Sequence, residues 1–164
     1  GVLPQWGIFL QPLGFLLFLT AGAAETKRTP FDLPEGESEI IGYFVEYSGM
    51  RFGLFLMTDF IETVLVAALL TTFFLGGCDV PFLQTDGFVF PGGLSLVLPA
   101  VAIALLQMAA FALKVYVMCW LLLLIRWTLP RFRFDQLLQL GWKILLPASL
   151  ANAAVTAVVL YLLR

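Results

Sequence analysis

Four stretches of this sequence, 6–24, 49–75, 96–125 and 144–163, are each apolar over a length that can cross a lipid bilayer. A helix needs ~20 such residues to span a hydrocarbon core of ~30 Å, and in lipid the backbone has to satisfy its own hydrogen bonds within each span. This predicts an all-α membrane protein of four tilted transmembrane helices joined by charged connections. The second and third stretches run to ~27–30 residues, or ~40–45 Å as helix, so they are expected to tilt or to project beyond the core. No soluble domain fits between the spans, and residues 1–164 read as a single transmembrane unit. Composition agrees: 12% of residues are charged, where a soluble domain carries about 25%, and mean hydropathy is +0.98.

The same composition narrows the chemistry. Net charge is -2 and there is no basic tail, so nothing points to nucleic acid. There is no histidine, and Cys78 and Cys119 are too far apart in sequence for a metal or iron–sulfur ligand pattern; they read as packed thiols. The chain is therefore expected to carry no haem, cluster or zinc, and electrons for any redox step would come from a partner. The chain begins at Gly1, and its opening run has neither the basic region nor the cleavage site of a signal peptide; it reads either as a fragment or as a chain without its start.

The connections differ in charge. Residues 25–46 combine Lys27 and Arg28 with many acids, residues 76–95 hold Asp79 and Asp86 with no cation, and residues 126–143 carry Arg126, Arg131, Arg133 and Lys143 against Asp135. The positive-inside rule places 25–46 and 126–143 in the cytoplasm, and four spans put those two on one side. Glycine and proline mark 76–95 as an irregular loop. Trp127 and Trp142 fit an interfacial aromatic belt, and "FDQLLQLGW" reads either as a short amphipathic helix at that interface or as a solvated charged loop.

The segment 24–47, "AETKRTPFDLPEGESEIIGYFVEY", holds six of the eleven acidic residues. Asp32 and Glu35 resemble a capping box with Pro34 in the first turn, which predicts a helix from Leu33. At 100° per residue, Glu35, Glu39 and Glu46 share one face while Glu37 points away. Like charges on one face repel, so helix stability alone does not explain the stripe. It is either a solvated acidic face or a row of coupled carboxylates able to hold and pass protons.

Three more ionisable groups lie within the apolar stretches: Asp59 and Glu62, three apart in the second, and Lys114 in the third. Such groups are costly in lipid unless they face a cavity, water or each other. They are read as a buried ion pair or as a proton path from the acidic segment through Asp59 and Glu62 toward Lys114.

These residues resemble one family. "AETKRTPFDLPEGESE", "EYSGMRFGLF", "LGG" and "RWTLPRFRFDQLLQLGWK" are similar to the quinone-chamber membrane subunit of respiratory complex I, which is the H subunit in bacteria and subunit 1 in mitochondria. That family has eight spans, and the likeness here is to spans five to eight, its C-terminal half. The resemblance implies a subunit of a proton-pumping NADH–quinone oxidoreductase in the bacterial inner membrane. The subunit forms part of the chamber that receives quinone, ubiquinone among the candidates, and starts the path that couples its reduction to proton translocation. FMN and iron–sulfur clusters are implied in partner subunits, and the implied neighbours are peripheral quinone-site and iron–sulfur subunits together with small membrane subunits.

Carried over by position, Glu25, Arg28, Asp32, Glu35, Glu37, Glu39 and Glu46 match the family's charged loop. Arg126, Arg131, Arg133 and Asp135 match its second cytoplasmic loop, where arginines dock and fix the fold because arginine does not deprotonate. Lys114 matches a membrane-embedded lysine. Asp59-Phe60 stands where the family usually has Glu-Tyr, and Glu62 occupies a usually neutral place. The alternatives are the related membrane subunit of a membrane-bound hydrogenase or formate hydrogenlyase, and a stand-alone ion transporter. The second is disfavoured by the lack of an internal repeat. A purely structural anchor leaves the intramembrane charges unexplained.

Overall fold

A computed structural model describes residues 6–27, 29–32, 47–84, 87–89, 95–97 and 99–162. Its helices are α1 (Gly7–Leu10), α2 (Pro12–Glu25), α3 (Met50–Phe74), α4 (Ala100–Thr128), α5 (Phe134–Gln139) and α6 (Leu146–Leu162), with a π-helical turn, Leu140–Leu145, between the last two. Three helical runs are long and apolar enough to cross a membrane: Met50–Phe74, Ala100–Thr128 and the continuous Phe134–Leu162. The all-helical membrane class expected from the sequence is what the chain adopts.

Two spans differ in detail from expectation. The first is broken: Gln11 leaves helical geometry at φ -138, ψ 67, and Pro12 opens α2 at its first position. Proline disfavours helical backbone in the residue before it and needs no N–H partner where a helix starts, so the break falls where the sequence puts Gln-Pro. The last span begins earlier than expected. "FDQLLQLGW" does not form a separate helix but runs through the π-helical turn into α6. Pro147 supplies a reason: it has no N–H for the carbonyl four residues back, and a locally wider turn absorbs the missing bond and the ring.

The core lies among α2, α3 and α4, with Leu19 and Ala23 against Val66, Ala67 and Leu70 and against Met118 and Leu122. Gly22 lets α2 approach α3 closely, since a Cβ there would lie 2.6 Å from Val66 Cγ1. Phe15 and Phe74 meet edge to face at 5.5 Å, and Phe18 and Phe73 at 5.9 Å. The hydroxyls of Thr58, Thr63, Thr71 and Thr72 donate to the carbonyls four residues back, which satisfies them within α3 in an apolar medium.

No residue of α6 is buried among the described residues. Gln11 Nε2 donates to Thr156 Oγ1 at 3.0 Å, so the residue that breaks the first span also ties it to the last. Most large apolar side chains along α3, α4 and α6 are exposed, as suits helices that face lipid or neighbouring chains rather than water.

The connection expected to be irregular contains a small antiparallel sheet, β1 (Leu83–Gln84), β2 (Gly87–Val89) and β3 (Ser95–Val97), in the order β1-β2-β3. Leu83 pairs with Phe88, and Phe88 with Leu96. Its glycines and prolines punctuate the segment. Polar Gln84 and Ser95 and the glycine Gly87 belong to the ladder as well as the apolar residues. The sheet lies in a connection and leaves the helical class unchanged.

Candidate functional site

The two charged connections meet at one end of the bundle. Arg131 Nη2 donates to Asp32 Oδ2 at 3.1 Å, with both side chains mostly shielded from solvent. Next to this pair the backbone N–H of Phe132 donates to the Pro30 carbonyl at 3.0 Å, and the Phe31 and Phe132 rings pack at 5.6 Å. Phe31 and Thr26 are buried and Pro30 fully so; the Thr26 hydroxyl donates to the Ala23 carbonyl. An ion pair, a backbone hydrogen bond and an aromatic contact therefore clasp 30–32 to 131–132. Asp32 Oδ1 is buried with no hydrogen-bond partner among the described residues. Arg133 Nε lies 3.7 Å from Asp135 Oδ2, but both side chains are largely in solvent, where such a pair contributes little.

Just inside the clasp is a cleft between the end of α2, the middle of α3 and the end of α4. Thr26, Thr29, Thr63 and Arg126 give it polar walls, and Ala23, Leu122 and Ile125 give it apolar ones. It offers a solvent molecule about 20 Å³, enough to hold a water where polar partners exist. That is far below the ~300 Å³ or more of a typical ligand pocket, so these residues alone do not enclose a quinone-sized chamber. Thr26 and Thr63 spend their hydroxyl protons on the carbonyls of Ala23 and Asp59 and keep lone pairs to accept. A water there can accept from Arg126 and donate to threonine oxygens.

The acids of α3 do not line this cleft, but they lie close to its Thr63 in the sequence. Asp59 and Glu62 are half-buried, and Thr63, adjacent to Glu62, lines the cleft. Glu25 is exposed at the last position of α2. Arg28, Glu35, Glu37, Glu39 and Glu46 lie outside the described residues, and with them the helix expected from Leu33 and its acidic stripe.

Lys114 is elsewhere. Its Nζ donates to the carbonyls of Leu75 at 2.8 Å, Gly77 at 3.0 Å and Asp79 at 2.6 Å, and lies 4.9 Å from the centre of the Trp6 ring. Glu62 and Leu75 are thirteen positions apart along α3 and its cap, about 20 Å at ~1.5 Å per residue, so the structure does not bring Lys114 to Asp59 and Glu62. Sequence reasoning also missed the acceptors around Lys114, which are backbone carbonyls, and the three threonines of the cleft. Cys78 and Cys119 are free thiols, and the described residues contain no group of three or more His, Cys, Asp or Glu side chains that could hold a metal ion.

Known proteins share this sequence over nearly its whole length. A family model described as NADH dehydrogenase matches residues 2–157. The chain is 42% identical to the H subunit of NADH-quinone oxidoreductase from Bdellovibrio bacteriovorus, covering 98% of this chain and 43% of that protein. It is 47% identical to the corresponding protein of Thermomicrobium roseum, over 96% of this chain and 40% of that one. It is 46% identical to that of Carboxydothermus hydrogenoformans, over 97% and 41%. The chain thus spans less than half the length of these relatives.

Proposed function

The chain belongs to the NADH dehydrogenase family, and from that premise we propose that it forms the C-terminal half of the membrane subunit that faces quinone in a proton-pumping NADH–quinone oxidoreductase. Its place is the bacterial inner membrane, with 25–46 and 126–143 on the cytoplasmic side. The observation that carries this reading is the clasp of Asp32 to Arg131. It anchors the acid-rich connection against the bundle, next to a water-sized polar cleft and the helix that bears Asp59 and Glu62.

In this reading the division of labour follows from side-chain chemistry. Arg126, Arg131 and Arg133 do not deprotonate and serve as fixed charges, with Asp135 beside Arg133 at the loop surface. Glu25, Asp32, Glu35, Glu37, Glu39 and Glu46, with Arg28 among them, make the acid-rich segment at which the proton path starts. Reduction of a quinone to the quinol takes two electrons and two protons; the electrons come from a cluster in a partner subunit. A change of charge at the quinone shifts the protonation of the acids, and Asp59 and Glu62 carry that shift into the membrane. The remainder of the quinone chamber is supplied by segments beyond this chain and by partner subunits.

The test is the double substitution Glu35→Gln and Glu39→Gln in the assembled complex. Quinone reductase activity and proton pumping should both fall several-fold while native gels show normal assembly. Unchanged turnover and pumping would sink the relay.

A further inference from the structure

Lys114 has a role that the acid path does not use. A helix ends with four carbonyls that lack intrahelical partners, and its C-terminus attracts positive charge. In an apolar medium those carbonyls need donors. α3 ends at Phe74, and the chain turns through Gly76 and Gly77, both at positive φ (69° and 56°), a backbone shape suited to glycine. This turn points the carbonyls of Leu75, Gly77 and Asp79 at one point, and Lys114 Nζ occupies it at 2.6–3.0 Å from all three. An ammonium has three N–H donors, and three acceptors meet them. A neutral amine would keep two N–H groups and set its lone pair against the third oxygen. The Trp6 ring lies 4.9 Å away and favours a cation over its face.

We propose that Lys114 is a positioning residue: a fixed cation that caps the C-terminus of α3 and clamps α4, the 75–79 turn and Trp6 at one point, rather than a carrier of protons. Its function is to hold in register the helix that carries Asp59 and Glu62 near its middle. The amides of the turn are tied back to the helix, with Leu75 and Gly77 both donating to the Thr71 carbonyl. Once the ammonium is gone, three carbonyls lose their donor and the turn opens.

The experiment compares Lys114→Arg and Lys114→Met in the assembled membrane complex. It follows amide hydrogen exchange in the peptide covering 72–80, together with quinone-linked proton pumping. Arginine keeps a charge that cannot leave; methionine keeps the length without it. Exchange in the turn should rise at least fivefold with methionine and stay within twofold of the parent with arginine, which should also keep most of the pumping. Parent-like exchange in the methionine variant overturns the cap. An arginine variant that assembles with parent-like exchange and loses pumping overturns the fixed charge, because it shows that a proton has to leave this position. Should the methionine variant not accumulate, the arginine variant alone decides on those two outcomes. The exchange readout is independent of the quinone reading, so failure of one leaves the other standing.

Discussion

Arg131 and Asp32 are 99 positions apart in sequence and 3.1 Å apart in space, Nη2 to Oδ2. Their pairing joins the two charged connections at a single end of the bundle. Arg131→Ala would leave the partly buried Asp32 carboxylate without this donor while its Oδ1 is already without a partner among the described residues. Removing one member of a shielded pair costs more than removing a surface pair, and with a quarter of the Arg131 side chain still exposed we expect roughly 1–3 kcal/mol. The expected outcome is a clear loss of assembled complex on native gels and a lower unfolding temperature. A fully assembled but inactive complex would contradict the docking role.

Gly22 tests the α2–α3 contact. A Cβ at this position would lie 2.6 Å from Val66 Cγ1, and a valine in a helix has little rotamer freedom to move aside. Gly22→Ala is therefore expected to destabilise by roughly 1–3 kcal/mol through overpacking. Val66→Ala in the same chain should restore much of the loss, because it removes the methyl groups in the way. The measurement is thermal unfolding of the detergent-solubilised complex for both single variants and the double. Additive losses in the double would show that the two residues do not meet.

Gln11 and Thr156 give a third test. They supply a side-chain link between the broken first span and α6, which has no fully buried residue. Hydrogen bonds between membrane helices contribute about 0.6 kcal/mol on average and up to ~1.7. Gln11→Leu and Thr156→Val should each lower stability by about that much, and the double variant should lose no more than either single one. A double-variant loss equal to the sum of the two would mean that the bond contributes nothing.

How much of this was legible in the sequence depends on what carries each feature. The long helices were legible because length and apolarity alone decide that a segment spans. Pro12 sits at the observed break, but the apolar run hides it unless the restriction on Gln11 is weighed. The continuous Phe134–Leu162 was hidden because Trp142, Lys143 and the preceding polar residues look interfacial, while the π-helical turn lets the helix run on through them. The Asp32–Arg131 clasp has no signature in spacing, since nothing local links positions so far apart; only the resemblance marked both motifs together. Lys114 was flagged by its place in an apolar run, but its partners are backbone carbonyls, which every residue carries and no pattern reveals.

The last prediction concerns Asp59. It is half-buried on α3, one turn from Glu62 and Thr63, and its own backbone carbonyl is taken by the Thr63 hydroxyl. Asp59→Asn keeps the size and the capacity to hydrogen-bond but removes the exchangeable carboxyl proton. If Asp59 carries protons from the acid-rich connection into the membrane, coupled turnover should fall about tenfold or more, the scale expected when a positioned proton-transfer group is lost. Assembly should be unchanged, because no described ion pair depends on its carboxylate. Asp59→Glu should retain activity, since it restores an acid one methylene longer. Quinone reductase rate and pumping in membrane vesicles, set beside native gels, separate the outcomes: loss of assembly in the asparagine variant would make Asp59 a structural residue, and full coupled turnover would remove it from the path.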